Sequence, residues 1–353
     1  MEKIVVVGAG VIGLSVAWRA MAAGWETLVV DPEPCSGASW VAGGMLAPVT
    51  EAWPGEEPLL DLGEASLRMW PDFAAELGDV GLRTEGTVVA AFDSADAQQL
   101  VILADHLASV GREVTRMTGP ELRAVEPALS TSVRSGLSVP GDLAVDNRRL
   151  LDVLKSKAAF AYGTVREVRS GEVVLADGSV ITADAVVVAA GAWSRNLHSR
   201  LKSLVRPVKG EILRLRARSG ALPLTRTVRA LVESRPVYLV PRDDGEVVLG
   251  ATQYEAGYDT DVTVKGVRDL LLDAERVMPG ITEYRLVESA AGVRASSPDN
   301  LPLIDWLEPG VVVATGHHRN GVLLAPITAE AVVAMLTGEP VPEAVAAAGL
   351  DGR

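Results

Sequence analysis

The 353-residue chain contains a single cysteine, Cys35, so it can form no internal disulfide, no CxxC redox pair and no cysteine-rich zinc site. Histidine is scarce, at four residues, and aromatic side chains make up only 4%. No HExxH, GxSxG or Walker sequence occurs, which removes the common signatures of metalloproteases, serine hydrolases and P-loop enzymes. We expect no metal site. No apolar run approaches the roughly 18 residues that cross a bilayer. Basic charge is also short: 33 Lys and Arg stand against 46 Asp and Glu, a formal charge of −13 that disfavours nucleic acid and anionic membranes as partners. Disorder, which needs low hydrophobicity, is incompatible with 48% apolar residues. Glu2-Lys3 and the apolar run behind it could imitate a secretory signal, but Gly8, Gly10 and Gly13 interrupt the run and Arg19 closes it. The expectation is a cytoplasmic, unprocessed enzyme of two domains that assembles as a homo-oligomer.

What is present is concentrated at the N-terminus. Ile4 to Val7 is a β-branched run of the kind buried on both faces of a parallel sheet. Gly8-Ala9-Gly10-Val11-Ile12-Gly13 then passes into a helical pattern that Gly24 ends. Thr27 to Val30 gives a second strand, stopped by Asp31. In this unit Gly8 permits the tight turn, Gly10 lets backbone approach a pyrophosphate, and Gly13 lets the helix pack on the strand. A phosphate would meet free N–H groups and the positive end of the helix dipole. Asp31 is placed to accept hydrogen bonds from ribose hydroxyls and to repel a 2′-phosphate. The unit fits FAD and NAD alike. Its place at the extreme N-terminus, and a second strand-to-glycine segment at Asp184 to Trp193, lean towards FAD.

Further along, residues 34 to 48 are too small-sided to form a packed element. Leu59 to Leu77 and Asp96 to Val110 read as helices, as does Asn147 to Lys157. Strands follow at 164–169, 172–175 and 180–182, the last two joined by the turn pair Asp177-Gly178. Ala185 to Ala190 and Val311 to Ala314 are further continuous apolar strands. Alternating stretches flank Asp243-Asp244-Gly245, and a helix is expected over Val322 to Leu336, with Pro326 tolerable only near its start. Continuous strands at both ends and in the middle, with alternating strands between them, predict an α/β parallel-sheet domain interrupted by an antiparallel one.

Three segments resemble a known family: the N-terminal unit, Gly37-Ala38-Ser39-Trp40-Val41-Ala42-Gly43-Gly44-Met45-Leu46-Ala47-Pro48, and Thr315-Gly316-His317-His318-Arg319-Asn320-Gly321-Val322-Leu323-Leu324-Ala325-Pro326. They look like the D-amino-acid-oxidase superfamily, and within it the glycine-oxidizing flavoenzymes of thiamine biosynthesis. The likeness covers nearly the whole chain, and its C-terminal motif is the most specific part. It implies a Rossmann-like FAD-binding domain of the glutathione-reductase type, built from residues 1–80, 147–205 and 285–353. An antiparallel-sheet substrate domain would come from 81–146 and 206–284. It also implies that Val11, Ile12, Asp31, Pro32, Ala38, Ser39 and Gly43, Gly44 and Met45 line a non-covalently held FAD. Val165 would meet the adenine, Gly191 would lie on the cofactor side, and His317, His318, Arg319, Asn320, Gly321, Val322 and Leu323 would run beneath the flavin pyrimidine.

For the substrate, the resemblance implies that Arg294 clamps a carboxylate bidentately, which lysine could not copy. Tyr238 would add a hydroxyl hydrogen bond, Arg319 would be a further basic residue near the flavin, and Met45 would belong to the catalytic set. Gln253 stands where the family has a methionine, a polar departure that could admit a different amine. The crossover over 147–164 is also shorter than the family's. The activity implied is oxidation of glycine or another small amine or D-amino acid by O2, giving hydrogen peroxide. A sarcosine-type oxidase or dehydrogenase, a nicotinamide enzyme and a non-catalytic flavin sensor remain open as alternatives.

Overall fold

The computed structural model describes all 353 residues. Its first layer is a six-stranded sheet in the order Leu303–Glu308, Val311–Thr315, Ala185–Val188, Lys3–Val7, Glu26–Asp31, Phe160–Tyr162. All neighbours run parallel except Leu303–Glu308, which lies antiparallel to Val311–Thr315. The central strands are continuous runs of Val and Ala because both faces are covered, and Ala185–Val188 and Val311–Thr315 are buried at every residue. From Lys3–Val7 the chain moves to one neighbour through the helix Val11–Ala22 and later returns on the other side. The strand order therefore reverses at the mouth of that helix, where open α/β sheets form their ligand crevice. The helix packs with Ala325–Thr337 and Glu57–Leu77 in one core.

The second layer is an eight-stranded sheet ordered Arg285–Ser296, Arg206–Arg216, Glu246–Gly250, Arg235–Pro241, Thr227–Val232, Thr87–Ala91, Ser135–Val139, Thr115–Thr118. Its core is separate and lies largely under the helix Val264–Val277. The sheet is mixed, not wholly antiparallel: Thr87–Ala91 runs parallel to Thr227–Val232. Those strands come from different chain segments joined by a long excursion, so no hairpin forces their direction.

Several sequence expectations change here. Arg285–Ser296, assigned above to the cofactor domain, pairs antiparallel with Arg206–Arg216 along its length and belongs to the second sheet. Its exposed first half, Arg285-Leu286-Val287, lacks the alternation that marks a half-buried strand. Residues 34–48 are not devoid of structure. Ala38–Val41 forms one helical turn, and Met45–Leu46 pairs with Leu143–Ala144. The C-terminal helix begins at Ala325, not Val322, because Pro326 belongs at a first turn where its missing N–H is not needed. Phe160–Tyr162, not anticipated, adds an edge strand beside Glu26–Asp31. No helix is long and apolar enough to cross a membrane.

Candidate active site

At the mouth of the helix Val11–Ala22 the backbone is shaped for close approach. Gly8 has φ +108°, and a Cβ there would lie 2.4 Å from the Ala189 carbonyl oxygen. A Cβ on Gly13 would lie 2.0 Å from the Gly8 carbonyl oxygen. The N-cap residue, Gly10, has no side chain to cap the helix and no acidic residue occupies its first turn; the Ser39 hydroxyl accepts the Val11 N–H at 3.0 Å, and the rest of the positive N-terminus faces the cleft. Asp31 reaches across from the next strand. Its Oδ2 accepts the Ala9 N–H at 2.8 Å and its Oδ1 the Glu33 N–H at 2.8 Å. Each oxygen keeps a further lone pair for a ligand hydroxyl.

From this mouth a cleft opens between the two sheets. Val11, Ala38, Ser39, Gly43, Gly44 and Met45 line it from the N-terminal side, and His318, Arg319, Gly321 and Val322 from the C-terminal loop. Tyr238 and Arg294 project from the second sheet. Residues more than 200 positions apart thus meet in one cavity.

The substrate-sheet wall depends on glycine. Gly210 and Gly292 face each other across the pairing of Arg206–Arg216 with Arg285–Ser296. A Cβ on Gly210 would lie 2.0 Å from Arg294 Nη1, and one on Gly292 3.2 Å from Val41 Cβ. A Cβ on Gly250 would lie 2.3 Å from the Tyr238 hydroxyl, and one on Gly43 2.8 Å from the Tyr238 ring. The ring is therefore laid flat against backbone on two sides.

Arg294 has no carboxylate partner. Its one hydrogen bond runs from Nη1 to the Thr252 carbonyl at 3.3 Å. Burial holds its guanidinium below the usual arginine range, with Tyr238 and Glu51 pulling the other way. Burial likewise raises the Tyr238 phenol, and Arg294 partly offsets this. Both groups keep their ordinary charge near neutrality, so the cleft holds a cation awaiting an anion beside a neutral hydroxyl. His318, at φ +47°, is pushed down to about 3 by burial and by Arg294, Arg319 and Arg206. It is a neutral imidazole whose Nδ1 has no partner within the chain.

Other predicted residues have different surroundings. Gln253 is exposed and outside the cleft, because the chain leaves the sheet after Gly250 and turns Gln253 to solvent. His317 is buried and hydrogen-bonds Thr328 at 3.0 Å, so it supports the loop from behind. Ile12 and Leu323 are core residues; the Leu323 carbonyl accepts hydrogen bonds from Ser66 and Trp70. Asn320 faces a smaller adjoining cavity. Gly191 sits at φ +54°, its carbonyl accepting the Thr315 hydroxyl at 3.0 Å, and Pro32 is exposed. Val165 begins a three-stranded sheet two residues beyond Gly163, whose N–H donates to the Asp31 carbonyl. Arg319 lines the cleft, but its guanidinium is occupied by the Glu51 carbonyl and the Glu56 carboxylate, each at 2.9 Å. It offers a bound anion far less than Arg294 does.

Sequence reasoning missed Glu51, Val41, Ala42, Gly210, Ile212 and Gly292 in the cleft lining. The isolated glycines within strands were the available signal, since a strand glycine often marks close approach. It also missed Asn147. This buried side chain donates to the Ser39 and Trp40 carbonyls at 2.8 and 3.0 Å, and accepts from Arg214 and Arg242 at 3.2 and 3.1 Å. It ties the loop on the cofactor side to the substrate sheet.

Residues 3–335 match the family model of the FAD-dependent oxidoreductases (DAO), and the chain belongs to that family. It is 32% identical to a glycine oxidase of Geobacillus kaustophilus over 92% of its own length and 90% of the relative's. It is 34% identical to a putative thiamine biosynthesis oxidoreductase, ThiO, of Rhizobium etli, covering 97% and 98%. The crystal structure of the Geobacillus kaustophilus glycine oxidase superposes with a TM-score of 0.91 and 30% identity over 100% of both chains. The residues at the helix mouth fit the family's cofactor: a helix start with a glycine N-cap and no acidic first-turn residue, a turn with no room for a Cβ at Gly8, and a carboxylate at the strand end.

Proposed function

We propose that this chain is an FAD-dependent amine oxidase that converts glycine, or an amino acid of similar size, to the imine and then the 2-oxo acid, with O2 reduced to hydrogen peroxide. The names of its relatives favour glycine and a place in thiamine biosynthesis. The observation that carries the reading is Arg294, a guanidinium without a carboxylate, beside the Tyr238 hydroxyl in the cleft that adjoins the dinucleotide turn. When bound, FAD supplies the two-electron acceptor for the Cα–H bond and passes the electrons to oxygen.

In this reading Gly8, Gly10 and the N-terminus of Val11–Ala22 hold the pyrophosphate, and Asp31 holds the ribose. Arg294 binds the substrate carboxylate through two parallel N–H donors, and Tyr238 adds its O–H. Two fixed points on one carboxylate set the direction of Cα. Orientation of this kind supplies several kcal/mol. The amine reacts unprotonated, and His318, already neutral, places no competing positive charge beside it. A cytoplasmic location accords with a chain whose one cysteine, Cys35, forms no internal disulfide, and we expect a homo-oligomer.

The test is the visible spectrum of purified protein before and after anaerobic glycine. A yellow protein bleached by glycine is the expected result. Protein that binds no flavin, or keeps its colour with every small amine, would overturn the reading.

A further inference from the structure

Glu51 lines the cleft, yet the reaction described above gives it no task. Its carboxylate pairs with Arg229, which stands opposite Tyr238 on the neighbouring strand, and lies 3.5 Å from Arg319 Nε. Glu56 takes the other side of Arg319 at 2.9 Å and is itself held by Asn300 at 2.7 Å. Two arginines, Arg229 and Arg319, are therefore met by two carboxylates. Arg294, in the same cleft, has no carboxylate within ion-pair distance. The cleft thus has one cation free for an anion, and it also presents a carboxylate, Glu51, whose cations are already engaged.

We propose that Glu51 is a specificity-determining residue that limits this enzyme to substrates with one anionic group, excluding amines that carry a second carboxylate. The inference rests on the assignment of Arg294 to the substrate carboxylate. A substrate anchored there and bearing a second carboxylate would bring it towards Glu51. It would meet like charge in a poorly solvated cleft, where repulsion is weakly screened. Arg319 could answer it only by leaving Glu51 and Glu56. Rejection by a misplaced charge is as effective a source of selectivity as an added contact.

The comparison that isolates the charge is propionate against malonate, which put a methyl or a carboxylate at the same place, titrated calorimetrically into the flavin-loaded enzyme. The wild type should bind propionate at least tenfold more tightly. Glu51→Gln, which removes the carboxylate charge that faces Arg229 and Arg319 while leaving Arg319 on the residue-51 carbonyl and Glu56, should narrow that ratio at least tenfold and do the same for kcat/KM of N-ethylglycine over iminodiacetate. Glu56→Gln, outside the main cleft, should move both ratios the same way by a smaller factor, and it serves as the test if Glu51→Gln does not fold. Equal binding of the two anions by the wild type would overturn the proposal, as would ratios unmoved in the variants. An enzyme that binds propionate over malonate but is not bleached by glycine would refute the glycine assignment and leave the charge filter standing.

Discussion

The two sides of the cleft are built on different principles. The cofactor side is mostly backbone: a helix end with a glycine N-cap, a glycine turn and Asp31 braced on amides, all within residues 8–33. The substrate side is made of side chains on strands far apart in sequence, Tyr238 and Arg294, with glycines at 210, 250 and 292 clearing space for them. Backbone binding tolerates change in side chains but not in geometry. A side-chain wall is the reverse, since a single substitution can remove its function while the fold survives.

The sharpest test of that difference is Arg294→Ala. Removing one member of a buried charge pair costs about 2–5 kcal/mol, so kcat/KM for glycine should fall by a factor of about 30 to several thousand. Flavin content after purification should stay full. If flavin is lost as well, the two sides are not separable in the way described.

The support behind the wall is tested by pH. Asp142 is fully buried, accepts a hydrogen bond from Thr50 at 2.9 Å, and is pushed up to about 7 by burial. Its folded-state pKa therefore lies above the ordinary carboxylate value. Its contribution is whole at pH below about 4 and is lost as pH rises through 7, because only the unfolded chain then releases the proton freely. A shift of this size has an upper limit of about 4 kcal/mol. Asp142→Asn should raise the melting temperature at pH 8 relative to wild type and leave the two close at pH 4. Equal differences at both pH values would mean that Asp142 is ionised in the folded protein.

A smaller effect is expected from Gly210→Ala. The added Cβ would lie 2.0 Å from Arg294 Nη1, and the guanidinium is the mobile end of its side chain, so the clamp shifts while the sheet holds. KM for glycine should rise about tenfold, which corresponds to about 1.4 kcal/mol, with little change in kcat. A fall in kcat with unchanged KM would show that the misplaced group acts only in the transition state.

What could be read from sequence follows the same division. The cofactor unit was legible because strand, turn, helix and acidic stop occur in order within about thirty residues, and the structure has them within a residue or so of the expected places. The wall was not legible by pattern. Arg294 and Tyr238 were picked out through family resemblance, and nothing in the local sequence said that Gly210 and Gly292 would face each other. Arg285–Ser296 was placed in the wrong domain because its exposed half carries no alternation. Gln253 was placed in the site on a motif position, yet the chain has already left the sheet there. Glu51 lies two residues from Trp53 and three from Pro54 in an apparently ordinary loop, and only its two arginine partners, 178 and 268 residues away, give it meaning.

The substitution with the smallest expected effect, Asp31→Asn, most directly probes the backbone side. The Asp31 carboxylate does two things that can be separated: it braces the Ala9 and Glu33 amides, and it is available to a ribose. Asn can still accept the Ala9 N–H through its carbonyl oxygen but loses the charge and one acceptor. Asp31→Asn should keep the apo-protein melting temperature within a degree or two and weaken FAD binding several-fold, read by flavin fluorescence on dilution. Asp31→Ala should lower both, because an amide in the turn is left without its acceptor, at a cost of about 1–3 kcal/mol. If Asn and Ala weaken FAD equally and neither changes the apo-protein, the carboxylate serves the ligand alone. If both lower the apo-protein melting temperature equally, the turn depends on the charge itself, and the cofactor side is less purely backbone than its geometry indicates.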